Sequence, residues 1–207
     1  MALIDISRPI APDTAVWPGD QPVEWRWTTR LHAPDGPAVN LGALRMSTHT
    51  ATHADAPLHT EADGASIDAL PLSSFVGPAQ VVDVGAASEI RPEHVPASCA
   101  ERLLFRTRAS ALAPEEWPEH IAPLLPTTVE RCADCGVCLV GTDAPSVDPL
   151  SSSTLPAHHD LIDAEIVNLE GLRLHAVSPG AYTLLALPLN IPGGDAAPVR
   201  AVLQPPA

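Results

Sequence analysis

The chain has 207 residues, 45% of them hydrophobic, which suits one domain with a sizeable buried core and argues against a disordered polymer. A formal charge of −14 argues against a nucleic-acid partner, because phosphate recognition needs clustered cations. All 11 basic residues are Arg, so there is no lysine amine for a Schiff base or a lysine-bound pyridoxal cofactor.

The chain opens with "MALIDISRPIAPD", which lacks the basic flank and long apolar stretch of a secretory signal. No apolar run approaches the roughly 20 residues that span a bilayer, so a cytoplasmic protein without a membrane partner is expected. The 24 prolines are scattered, which predicts many short elements and no long linker. Strands are expected at "ALIDIS", at 39–48, 79–85, 102–108, 137–143 and 182–190, each rich in Val, Ile, Leu or Thr and bounded by Gly, Pro or Asp. Helices are expected at 127–135, ending on Gly136, and at 151–165, where Ser and Thr are available as caps. The composite is α/β, strand-rich, in a single domain over 1–207.

Four cysteines, Cys99, Cys132, Cys135 and Cys138, are expected to be reduced thiols in a cytoplasmic protein. "CADCGVC" has C-x2-C-x2-C spacing, but no fourth cluster ligand follows. Its better reading is a helix end and a buried strand, in which Cys acts as a small hydrophobe.

The densest chemistry lies in "STHTATHADAPLH", where His49, His53, Asp55 and His59 fall within eleven positions. A helical metal motif is disfavoured by the threonines and by Pro57. The alternation of Leu44, Met46 and Thr48 suggests a strand running into a loop at His49. In an extended segment His53 and Asp55 point the same way, and a turn can bring His49 beside them. Imidazole with carboxylate suits Zn²⁺, Mn²⁺ or Fe²⁺, and three protein ligands leave a position open for water. A lone histidine is more often decoration than ligand, and Asp55 alone could cap a turn; four such residues at this density point to a site. His94, His120 and His175 are isolated and are read as ordinary surface or core residues.

A second group lies in "AHHDLIDAEIVNLEGL", with His158, His159 and Glu170. If the helix ends near Glu165, "IVNLEGL" can form a strand that returns Glu170 to the first cluster. A carboxylate in so apolar a stretch is costly unless paired or bound to a cation. Three histidines and two carboxylates suffice for two metal ions.

With these residues in view, "HTATHADAPLH" resembles the H-x-G-x-H-x-D-x-P-x-H signature of the metal-dependent cyclase-like hydrolases. Within that family the chain is most similar to the bacterial kynurenine formamidases (arylformamidases). The likeness covers nearly the whole chain, through "DISRPIAPDTAVWPGD", "LFRTR", "GTDAPSVDP", "AHH…LEGL", "ALPL" and "PVRAVL". It implies a swivelling β/β/α type fold, a homodimer, and hydrolysis of an aryl formamide, N-formyl-L-kynurenine, in tryptophan breakdown. It also implies two divalent metal ions, zinc or alternatively manganese. His49, His53 and Asp55 would hold the first, Asp55 and His158 the second, and Glu170 would bridge both. The adjacent His159 leaves the second ligand open, with His158 preferred for its distance from Glu170. His59 would transfer protons rather than bind metal, and Trp17 would stack on the substrate ring. The family's Gly between the first two histidines is Ala51 here, which costs about 1 kcal/mol if that position takes positive φ. A serine hydrolase is a poor rival, since no G-x-S-x-G string occurs. Hydrolysis of a related amide such as isatin, or metal binding without catalysis, are the alternatives.

Overall fold

The computed structural model describes residues 3–31 and 36–206. Its strands are β1 (Ile4–Asp5), β2 (Glu24–Thr29), β3 (Leu41–Arg45), β4 (His53–Asp55), β5 (Val76–Asp83) and β6 (Arg102–Arg106). Helix α1 (Pro126–Asp134), β7 (Leu139–Thr142), α2 (Pro156–Asp163), β8 (Val167–Glu170), β9 (Gly180–Leu185), β10 (Ala196–Pro198) and β11 (Val202–Gln204) follow. Nine strands form one curled mixed sheet in the order β1-β11-β9-β5-β6-β7-β8-β4-β10. Strands β5 to β8 run parallel and form its centre; the flanking pairs are antiparallel. This is a strand-rich α/β single domain, as the sequence predicts.

Alternation along the central strands divides the core. Leu104, Leu139 and Leu169 pack on one face with Ile6, Phe75, Leu172 and Leu184. Leu103, Phe105 and Val140 face the other way, onto Val129 and Cys132 of α1 and Ala157 and Leu161 of α2. Because β6 and β7 are covered on both faces, their interiors, Leu103–Leu104–Phe105 and Leu139–Val140, are apolar.

Helix α1 starts with Pro126, whose missing N–H costs nothing in the first turn. It ends as expected on Gly136, at φ +77°. There the Gly136 N–H donates to the Ala133 carbonyl and the Val137 N–H to that of Cys132. Helix α2 is shorter than expected, and none of its Ser or Thr neighbours caps it. Leu155 occupies the cap position without a side-chain bond, and Asp148 takes the N–H groups of Ala157 and His158 instead. A carboxylate from another loop satisfies two orphan donors where a local hydroxyl satisfies one.

The expected strand 39–48 forms only over β3, which pairs with β2 in a separate two-stranded ribbon. The expected strand 182–190 ends at Leu185, shortly before Pro188, which has no N–H for a ladder. The cysteine expectation is corrected. Cys99 and Cys135 form a disulfide, because the fold brings the loop before β6 against the end of α1, with Cα atoms 6.0 Å apart. Cys132 is a free thiol buried among the apolar residues behind the sheet, and Cys138 is half-buried and free. No helix among the described residues is long and apolar enough to cross a membrane.

Candidate metal and active site

His53 and Asp55 lie not in a loop but on β4, hydrogen-bonded between β8 and β10. Their register sets His53 opposite Glu170 and Asp55 opposite Asn168. The two-residue period puts all four side chains on one face, while Ala54 and Leu169 enter the core on the other. His158 reaches the same face from α2. Its Nε2 lies 3.5 Å from both Asp55 Oδ2 and Glu170 Oε1. His53 Nε2 lies 3.4 Å from Asp55 Oδ1 and 3.5 Å from Glu170 Oε2. His49 enters from the turn before β4, with Nδ1 at 3.0 Å from Asp55 Oδ1. The structure thus gathers His49, His53, Asp55, His158 and Glu170; His159, one residue on, belongs to none of the metal-ligand groupings among the described residues.

Ala51 does take positive φ, +62°, and the structure shows what that turn does. The Ala51 carbonyl faces His53 Nδ1 at 3.2 Å, which holds the ring with Nε2 toward the carboxylates. The carbonyl also rests on Gly171: a Cβ built there would fall 2.1 Å from the Ala51 oxygen. Thr52 completes the tie, its hydroxyl donating to the Gly171 carbonyl and accepting the Arg8 N–H.

Three supporting residues carried no expectation. Asp148 accepts from His158 Nδ1 at 2.6 Å, which fixes the tautomer that presents Nε2 to the cluster. Asn168 donates from one amide nitrogen to Asp55 Oδ2 and Glu170 Oε1, holding the two carboxylates apart in orientation. Asp195 lies 2.9 Å from His49 Nε2 and 3.9 Å from His59 Nδ1. Asn168 was findable, two residues before Glu170 in a strand; Asp148 and Asp195 had no local signal.

The electrostatics are those of a site built for cations. Burial opposes charge on His53, but Asp55 and Glu170 outweigh it and bring its pKa to about 10. His158 goes to about 12, with Asp148, Asp55 and Glu170 overcoming burial. Burial would raise Asp55, yet its three histidines hold it well below the carboxylate range. Unlike His49, His53 and His158, His59 moves down: burial lowers it, Asp55 opposes, and His49 and His158 reinforce. His53 Nε2 and Asp55 Oδ1 are buried without a hydrogen-bond partner, although they face each other across the cluster. Two orphaned ligand-type atoms, with imidazoles pre-oriented by their other nitrogens, fit a divalent cation. The ligand-type atoms of His49, His53 and Asp55 lie within 4.8 Å of one another, as do those of Asp55, His158 and Glu170.

Beside this cluster opens a cavity of 350 Å³, of a size for a small aromatic molecule. His49, His53, His59, His158 and Glu170 line its floor, and Trp17 and Trp117 form an edge-to-face pair in its wall, 5.4 Å between centroids. His94 accepts the Arg91 N–H in a short turn, and His120 and His175 are exposed and do not line the cavity.

A curled α/β sheet carrying a buried His/Asp/Glu cluster at one end defines the class: a metal-dependent hydrolase scaffold. The family model described as a putative cyclase matches residues 4–149, and the chain belongs to that cyclase family. It is 61% identical over 208 residues to a kynurenine formamidase of Salinibacter ruber, covering 99% of this chain and 98% of that one. Among solved structures it resembles a potential metal-dependent hydrolase with cyclase activity, with TM-score 0.83 and 28% identity over 99% of both chains. It also resembles isatin hydrolase A from Ralstonia solanacearum, with TM-score 0.82 and 25% identity over 98% of this chain and 91% of that one.

Proposed function

We propose that residues 1–207 form one cyclase-like hydrolase domain of the swivelling β/β/α type that converts N-formyl-L-kynurenine to L-kynurenine and formate in tryptophan breakdown. The observation that carries this reading is 61% identity to a kynurenine formamidase along 99% of the chain. The His/Asp/Glu cluster supports it chemically.

Two divalent cations, zinc or manganese, would be held by His49, His53 and Asp55 and by Asp55, His158 and Glu170, with Glu170 facing both. When bound, such ions polarise a carbonyl and make water acidic near neutral pH. The chain's own contribution begins with Trp17 and Trp117, which offer the aryl ring an apolar wall beside the cluster. His59 groups with His49 and Asp195 rather than with His53, His158 and Glu170, and burial lowers its pKa, which keeps it neutral at pH 7. Asp195 lies 3.9 Å away on the Nδ1 side of the ring, which leaves Nε2 to take the proton of the attacking water. The water oxygen bonds to the formyl carbon, the carbon–nitrogen bond breaks, and His59 returns the proton to the departing aniline nitrogen.

The test is formate release by metal-reconstituted protein from N-formylkynurenine, isatin and formanilide. Turnover of the first above the others is expected; faster turnover of isatin would reassign the substrate, and inactivity on all three would remove the amidohydrolase reading. His59→Ala should abolish turnover while metal content stays the same; loss of metal would make His59 a ligand. A homodimer is part of the proposal, supported by the β2–β3 ribbon, which exposes Trp25, Trp27, Leu41 and Leu44 away from the main sheet. Light scattering should give twice the 21.7 kDa chain mass.

A further inference from the structure

We propose that the pocket carries a second subsite, for a zwitterionic amino-acid group, in which Arg8 takes the α-carboxylate and Asp20 and Glu116 face the α-ammonium. This rests on the formamidase reading and says how the reacting formamide is selected.

Among the described residues Arg8 is the only permanently cationic one lining the cavity, in a chain with no lysine and a charge of −14. It makes no ion pair among the described residues; its one side-chain hydrogen bond runs from Nη2 to the Ala109 carbonyl at 3.2 Å. A guanidinium has five N–H donors, so most of its capacity is unspent. Asp143 favours the Arg8 charge from a distance but forms no ion pair with it; its carboxylate accepts instead from the Thr107 N–H and hydroxyl and the Ser110 N–H. A half-buried guanidinium with no directly paired carboxylate among the described residues, on the wall of a small-molecule cavity, is suited to a planar anion from the ligand. The Arg8 backbone is tied to the metal-bearing segment through its N–H to Thr52 Oγ1, at 2.8 Å, so the side chain springs from a fixed point.

The two acids are placed by the same segments as the aromatic wall. Asp20 closes a turn on Trp17, its N–H donating to the Trp17 carbonyl, and Glu116 immediately precedes Trp117. A hydrogen bond from the Ala15 N–H to the Pro114 carbonyl staples the two segments together. One cation and two carboxylates thus line the cavity that also holds the aryl wall and the reacting cluster. An aryl formamide with an amino-acid side chain carries those complementary charges; isatin and formanilide carry neither.

The experiment compares kcat/KM for N-formyl-L-kynurenine and for N-formylkynuramine, the same aryl formamide without the carboxylate, in wild type and in Arg8→Gln. The ratio of the two should fall about 10- to 100-fold in the variant, chiefly through KM, as expected for one lost charge-assisted contact. A ratio unchanged by the substitution, whatever the absolute rates, overturns the subsite and leaves Arg8 structural. In case the variant folds poorly, the methyl ester of N-formyl-L-kynurenine gives an independent reading on wild type. It should lose a similar factor against the free acid, and equal turnover of ester and acid overturns the proposal. Wild-type inactivity on every formamide would instead overturn the formamidase reading, and the subsite with it.

Discussion

Gly171→Ala is the substitution that most directly couples the fold to the cluster. Gly171 follows Glu170 at φ +67°, where an L side chain costs about 1–2 kcal/mol of backbone strain. Its new Cβ would fall 2.1 Å from the Ala51 oxygen and 2.9 Å from the Ala51 carbonyl carbon, and neither is a flexible side-chain end. Relieving such an overlap by moving backbone costs about 1–3 kcal/mol more. For a chain of this size the loss corresponds to a melting point lower by about 5–15 °C. The site suffers as well, because the displaced Ala51 carbonyl orients His53 and the Gly171 carbonyl accepts from Thr52. Calorimetric melts of the metal-loaded and metal-free proteins, with a chelator competition for metal affinity, measure both effects. A melting point within 2 °C of wild type, on the same scale of degrees per kcal/mol, would show that the Ala51–Gly171 contact does not hold this turn.

Glu165, at φ +55° just past α2, should gain from replacement by Gly, by about 0.5–1 kcal/mol, read as a rise in melting point. Asp148→Asn should weaken metal binding about 10- to 100-fold by chelator competition, since His158 loses the carboxylate that fixes its tautomer; unchanged affinity would remove that role. Thiol titration of denatured, unreduced protein should find two reactive cysteines, Cys132 and Cys138, and four after reduction; four from the start would contradict the Cys99–Cys135 bond. Raising salt at pH 7 should raise the melting point, because screening relieves repulsion in a chain of charge −14.

Much of this molecule could be read from local pattern. The strands β6 and β7 are buried on both faces, so short apolar runs mark them; α1 announces its end at Gly136 through the one residue that takes left-handed φ freely. The His49-to-His59 density was visible because all four residues lie on one short segment. Glu170 was visible only as a chemically costly carboxylate in an apolar stretch, and His158 only through the family resemblance and its distance from Glu170. That Glu170 faces His53 is a matter of strand register, which depends on which strands become neighbours and not on either sequence alone.

The same distinction explains the errors. Reduced cysteines were inferred from compartment, but the disulfide depends on a loop 36 residues away coming to rest against α1. Hydroxyls were expected to cap α2 because they are adjacent; Asp148 does it because the chain turns back after β7. Asp195, near the end of the chain, meets His49 and His59 only once β10 pairs with β4. Sequence alone therefore determined which ligand-type and titratable groups the chain offers, since residue type sets ligand softness, charge and proton affinity. Tertiary structure decided which of them meet, because Asp55 reaches Asn168 and Thr52 reaches Gly171 across more than a hundred positions, and it set the ring orientations through nearer contacts, Ala51 to His53 and Asp148 to His158.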